Sequence, residues 1–278
     1  MRSRIRSQSL KRSPISSEGI QPRKFIDLSI AIEAGLPSDP PGMIPQIDYI
    51  NHQQGAQSMK MFFPGLQPEE LPAGLGWAVE NVQLSTHSGT HLDAPWHYHP
   101  TMDHGKPSLT IDQIPLDWCY GPGVKLDFSA MPDGCLLQPR DFSDALEKIG
   151  HQLKPGEIVL VQSGAAPYWG KMEYLVKGCG SGRDATLWLL DQGIRVVGTD
   201  AWSWDRPLPK IAEEYQRTKN AQIIWEGHFA GTEKGYCHME KLTNLDQLPP
   251  ENFTVICFPI RIKNASAGWV RAVALMEG

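Results

Sequence analysis

The chain of 278 residues contains no run of eighteen or more consecutive apolar residues, so the sequence predicts no transmembrane helix. It also shows no secretory hydrophobic region. Its five cysteines, Cys119, Cys135, Cys179, Cys237 and Cys257, have no Cys-x-x-Cys spacing. That argues against a disulfide framework and a zinc knuckle, and it suits free thiols in a reducing, cytoplasmic compartment. No internal repeat is visible, and composition breaks only once, near residue 24. One large domain over 24–278 is therefore expected, of a length able to bury its own core.

That break is a matter of charge. Residues 1–24 hold seven Lys or Arg and a single acid, although the whole chain carries −5. The serine-rich stretch 1–23 lacks apolar periodicity, so a basic, flexible tail is expected there. It also lacks aromatic side chains for stacking on bases, and the rest of the chain is acidic, so nucleic acid is not the expected partner. Neither is a membrane; a small molecule is.

Within 24–278 the pattern is α/β. Short strands are expected at 24–30, 123–128, 157–162, 195–199, 223–225, 254–258 and 270–276, and helices at 138–149, 183–191 and 211–219. The run Ile158-Val159-Leu160-Val161 is apolar throughout, as for a strand buried on both faces. Residues 35–75 are rich in Pro and Gly, so regular structure should be sparse, and a long loop of this kind tends to cover a site. Met59, Met61, Phe62 and Phe63 are expected to pin it by an apolar underside.

The chemistry concentrates in His87-Ser88-Gly89-Thr90-His91-Leu92-Asp93-Ala94-Pro95-Trp96-His97-Tyr98-His99. Ala94 precedes proline and is biased toward extended backbone. In an extended chain, alternate side chains share a face. His87, Gly89, His91 and Asp93 would then line one side, with Gly89 leaving room for an ion. Two imidazoles and a carboxylate suit zinc, manganese or iron. A further ligand is needed, and His228, His238 and Glu240 are the candidates. His97 falls on the same face beyond Pro95 and is favoured over His99 as an acid–base group. Trp96, Trp202, Trp204 and Tyr236 are candidates for an aromatic substrate pocket, and Arg206 for holding a substrate carboxylate. No separate Ser–His–acid arrangement is visible. A divalent ion lowers the pKa of bound water from about 15.7 to about 7 and polarises a carbonyl, so hydrolysis is the reaction these residues suit.

The pattern His-x-Gly-Thr-His-x-Asp-x-Pro-x-His resembles the signature of the cyclase family of metal-dependent hydrolases, which includes bacterial kynurenine formamidase and is similar to isatin hydrolase. Ile26-Asp27-Leu28-Ser29, Val197-Gly198-Thr199-Asp200 and the segment from Glu240 to Pro249 support the resemblance. It implies a swivelling β/β/α domain with a mixed sheet flanked by helices, assembled as a homodimer or homotetramer. It implies metal ligands at His87, His91 and Asp93 and a proton-transfer role for His97. A His followed twelve residues later by a Glu completes the family's ligand set, which selects His228 and Glu240 over His238. One or two ions, Zn²⁺ or Mn²⁺, are implied, and so is cleavage of a C–N bond in a small amide, aryl-formamide or cyclic amide. A catalytically idle metal protein and a lactone or ester hydrolase are the alternatives. The aromatic stretch Asp200–Pro207 departs from the formamidase members.

Overall fold

The computed structural model describes residues 24–276. The tail expected over 1–23 lies outside the described residues.

Among the described residues nine strands form one mixed sheet. In chain order they are β1 (Phe25–Asp27), β4 (His91–Asp93), β7 (Tyr120–Asp127), β9 (Ile158–Gln162), β11 (Val196–Thr199), β12 (Cys237–Glu240), β13 (Phe253–Ile256), β14 (Ala267–Trp269) and β15 (Val273–Met276). Their spatial order is β1-β15-β13-β7-β9-β11-β12-β4-β14. The central strands β7, β9, β11 and β12 run parallel, and the outer pairings are antiparallel. Three two-stranded pairs stand apart: β2 (Gln46–Ile50) with β3 (Val79–Gln83), β5 (Thr101–Met102) with β6 (Lys106–Pro107), and β8 (Leu136–Leu137) with β10 (Gly180–Ser181).

The alternation along β9 explains the layers. Ile158 and Leu160 point into one core with Leu28, Leu92, Met239 and Val255. Val159 and Val161 point into the other. There they meet Phe142 and Leu146 of helix α3 (Pro139–Ile149) and Leu189 and Leu190 of α4 (Arg183–Asp191). Pro139 opens α3 at a position where no backbone N–H is needed, and Gly150, at φ +69°, closes it in the left-handed conformation. The sheet curls, with helices on its outer side, as the α/β reading of the sequence requires. No helix among the described residues is long and apolar enough to cross a membrane.

Three expectations are corrected. Residues 223–225 are not a strand. A 3-10 turn covers Ala221–Ile223, held by the Asn220 side chain accepting the Gln222 N–H, and Trp225 then adopts φ +59° to enter a short helix, α6 (Glu226–Phe229). The 35–75 segment is also more regular than its Pro and Gly content suggests. It contains β2 and helix α1 (His52–Met59), whose start is secured by Asn51 and Gln54 exchanging hydrogen bonds in a capping box. Of the expected underside only Met59 is half-buried; Met61, Phe62 and Phe63 are 78%, 64% and 52% exposed, although Phe62 meets Trp77 edge-on at 5.5 Å. What holds α1 is a close backbone approach, since a Cβ on Gly55 would lie 1.8 Å from the Trp77 carbonyl oxygen.

Candidate active site

Strand register assembles the site. In the antiparallel pair β4–β12, His91 lies opposite Glu240, Leu92 opposite Met239, and Asp93 opposite His238. Side chains alternate across a strand, so Leu92 and Met239 enter the apolar core while the four polar residues share the other face. All four are buried.

His87 arrives by a different route from the one its sequence spacing suggests. The extended backbone covers only His91–Asp93. His87 sits in a turn in which Ser88 N–H donates to the Ser85 carbonyl (3.0 Å), and Gly89, at φ +63°, redirects the chain into β4. Gly89 therefore does not make room for an ion, because a Cβ there would meet Ile32 Cγ1 at 2.8 Å. His87 Nδ1 nevertheless comes within 2.9 Å of Asp93 Oδ1. Pro95 starts a single helical turn, α2 (Pro95–Tyr98), which swings His97 back so that Nε2 is 3.9 Å from Asp93 Oδ2 and its ring is 4.0 Å from that of His87.

Among the described residues two groups with metal-ligand spacing result, and Asp93 belongs to both: Asp93, His228, His238 and Glu240, and His87, Asp93 and His97. His91 Nε2 is 3.3 Å from Asp93 Oδ1 and 3.5 Å from Glu240 Oε2. His238, which the twelve-residue spacing passes over in favour of His228, lies between the carboxylates, its Nε2 3.0 Å from Asp93 Oδ2 and 3.1 Å from Glu240 Oε1. His228 Nε2 is 3.7 Å from Glu240 Oε1.

The outer nitrogens of these histidines are already committed. His91 Nδ1 faces the Gly89 carbonyl at 2.9 Å and must donate to it. His228 Nδ1 faces Asp205 Oδ2 at 2.5 Å, a carboxylate that also accepts the N–H groups of Gly227 and His228. His238 Nδ1 lies 3.1 Å from the Tyr98 hydroxyl and 3.3 Å from that of Tyr236, and Tyr236 spends its own proton on the Gly227 carbonyl. With Nδ1 as the donor, each ring directs an Nε2 lone pair inward, the arrangement in which imidazole binds metals. His91 Nε2, His238 Nε2 and both Asp93 oxygens are buried without a hydrogen-bond partner. Buried polar atoms left this way are costly, and a cation among them resolves the cost. The residues fit a divalent ion.

Electrostatics point the same way. In the field of the protein's own groups alone, burial disfavours the charged imidazole of His238, yet the negative charges of Asp93 and Glu240, 3.0 and 3.1 Å from its Nε2, overcome it and push its pKa up to about 9. Burial acts against the charge of Glu240 too, but the neighbouring imidazoles hold its carboxyl below the usual range. Two buried carboxylates thus demand positive charge between them. His97 differs: burial pulls it down to about 3, which keeps it neutral.

Beside the cluster lies a cavity of about 370 Å³. Met43, Trp202, Leu208, Ile224, Trp225 and Phe229 form its apolar walls, and His87, His97, His228 and Glu240 form its floor. Of the expected pocket residues, only Trp202 lines it. Trp96 is 45% exposed elsewhere. Trp204 is buried in the core with its indole N–H on Thr186, and its backbone N–H holds Glu240 Oε1 at 2.9 Å. Arg206 is paired with Glu214 at 2.8 Å. Trp225 and Phe229 were missed by sequence reasoning because 223–225 reads as a strand; the turn at Trp225 is what aims its ring at His228, 4.2 Å away.

The family model named Cyclase matches residues 26–206. The chain belongs to the Cyclase family. Among curated relatives, kynurenine formamidase of Salinibacter ruber (strain DSM 13855 / M31) is 27% identical over 195 residues, covering 69% of this chain and 77% of the relative. Kynurenine formamidase of Paracidovorax citrulli (strain AAC00-1) is 28% identical over 198 residues, covering 70% and 78%. Isatin hydrolase A from Labrenzia aggregata, solved with benzyl benzoate, superposes with a TM-score of 0.69 at 22% identity over 92% of this chain and 94% of that one. Isatin hydrolase A from Ralstonia solanacearum gives 0.71 at 21% identity over 92% of each chain. These structures share the fold.

Proposed function

We propose that this chain is a metal-dependent hydrolase that cleaves the C–N bond of a small aryl-formamide or cyclic amide. The observation that carries the reading is the buried cluster of inward-facing imidazole nitrogens and unpartnered carboxylate oxygens at the floor of an apolar pocket. The kynurenine formamidase relatives support amide chemistry. Asp93, shared by both ligand groups, supports two ions rather than one, with His87, His228, His238 and Glu240 as the other ligands from those groups and His91 joining them through its contacts with Asp93 and Glu240. His97, the remaining member of the second group and the one farthest from Asp93 at 3.9 Å, is assigned to proton transfer instead. Zn²⁺ is the first choice and Mn²⁺ the second, since both accept mixed imidazole and carboxylate donors.

When bound, the ion activates water and polarises the substrate carbonyl. The protein does the rest. Trp202, Trp225 and Phe229 hold a flat ring and exclude solvent. His97 stands on the pocket side of Asp93, half-buried, with Nε2 3.9 Å from Asp93 Oδ2, where that carboxylate favours the imidazolium formed as the ring takes a proton from the attacking water and passes it to the leaving nitrogen. An ester or lactone would fit the same geometry and is the second reading.

We also infer a homodimer or homotetramer. The exposed side chains of Met61, Phe62 and Phe63, in the connection between α1 and β3, support it.

The test is a screen of N-formyl anilines, lactams and matched esters against protein loaded with Zn²⁺ or Mn²⁺. Amide turnover that chelation abolishes and metal restores is expected. Turnover unaffected by chelation would refute the reading.

A further inference from the structure

One charged pair, a lysine on the pocket wall and the carboxylate behind it, has no place in the chemistry above. Lys241 follows Glu240 directly and lines the cavity, yet it is 1% exposed. Its backbone is in the left-handed region at φ +60°, which a side chain of this size rarely adopts. The conformation is fixed from both sides, because Lys241 N–H donates to the Ala201 carbonyl (3.0 Å) and Thr90 Oγ1 donates to the Lys241 carbonyl (2.7 Å). The strained backbone sends the ammonium to the carboxylate of Asp39 and to the His87 carbonyl, the latter at 2.9 Å.

Asp39 comes from the proline-rich segment, 202 positions away in sequence, and is itself buried. It also accepts the indole N–H of Trp202 at 2.9 Å, and the ammonium lies 5.4 Å from the centre of that ring. The neighbouring Ser38 anchors the segment by accepting the Gly170 N–H at 2.7 Å. The structure therefore brings a distant loop over the site to neutralise this lysine. Among the described residues no other Lys or Arg lines the cavity, and Arg206 is occupied by Glu214.

We propose that the Asp39–Lys241 pair makes the pocket selective for uncharged amides, with Asp39 as the specificity-determining residue; this rests on the hydrolase reading. An anionic group on a substrate ring would lose its water on entering apolar walls and find no free counter-charge, whereas a neutral ring loses little. Asp39→Asn keeps the shape and the acceptor for Trp202 but leaves the ammonium unneutralised. The same wall then becomes a carboxylate site.

The test measures dissociation constants by calorimetry on metal-loaded protein. The probes are two aryl amides that differ only in a ring carboxylate or carboxamide remote from the amide. The proteins are the parent, Asp39→Asn, and Asp39→Asn combined with Lys241→Met. Any contact of the carboxylate with the ion is common to all three and cancels when their ratios are compared; the carboxylate is placed too far from the amide to reach the ion, so each protein's own ratio reads the wall. The parent should bind the neutral probe tighter. Asp39→Asn should move the ratio toward the carboxylate by about tenfold, the worth of one partly screened charge at close range, and the double variant should restore the parent ratio. A parent indifferent to the carboxylate, or an Asp39→Asn ratio equal to the parent's, would overturn the proposal. Should Asp39→Asn not fold, as judged by circular dichroism, the ratios of the parent and the double variant decide alone: the neutral probe must win in both. Turnover of the neutral probe is recorded alongside. Selective binding without turnover defeats the hydrolase reading and not the selectivity, and turnover without selectivity does the reverse.

Discussion

At the residue scale, each inward lone pair depends on what holds the other ring nitrogen. Asp205 fixes His228 Nδ1 and two backbone N–H groups. Asp205→Asn should weaken metal binding by roughly ten- to a hundredfold, the usual effect of removing a carboxylate behind a ligating histidine; a chelator competition titration checks it. His97→Ala should keep its metal while kcat falls by about 10²–10⁴ and KM changes little, since the proton moves in the transition state. Metal lost in step with activity would instead make His97 a ligand. The sequence made His91 and Asp93 legible because they alternate on one short strand. His238 was harder to place: only the register of β12 against β4 sets it opposite Asp93, and register between strands about 145 residues apart leaves no local trace in sequence. Asp205 was hidden for the same reason, being positioned by tertiary contact with α6.

At the element scale, His151 joins three pieces of the fold. It follows α3 and lies between Glu157, ahead of β9, at 3.1 Å and Glu251, ahead of β13, at 2.7 Å. Burial opposes its charge, but the hydrogen bonds and charges of the two glutamates prevail and raise its pKa above 6.5. A raised folded-state value favours the protonated fold. The stabilisation is full below pH 6.5 and is lost as pH climbs through the raised value. Thermal melts across that window should show the parent losing its advantage over His151→Gln as pH rises; a difference independent of pH would remove the ion pair from the account. The strongly patterned elements, β9, α3, α4 and β11, were readable because core burial imposes their periodicity. The Pro/Gly-rich segment was not, because α1 depends on a two-residue cap and on the Gly55–Trp77 approach, neither of which gives an apolar period.

At the scale of the whole molecule, the curled sheet buries one face of β4 and β12 in the core and turns the other toward the pocket. The family pattern in the sequence implied this fold; the pocket walls depend on segments far apart in the chain and were mostly not readable. The connection from α1 to β3 leaves Met61, Phe62 and Phe63 exposed, apolar side chains of a kind that association covers. Replacing Phe62 and Phe63 by serine together should shift the mass measured by light scattering toward the monomer; an unchanged mass would place the contact elsewhere.

The central claim is that the β4–β12 face holds a catalytic divalent ion. Metal analysis of His91→Ala beside the parent tests it most directly, because His91 is buried between Asp93 and Glu240 and its loss leaves the pocket walls intact. The parent should carry one or two equivalents of Zn²⁺ or Mn²⁺ per chain, and the folded variant should lose metal and amide hydrolysis together. A folded His91→Ala variant with the parent's full metal content would contradict the account.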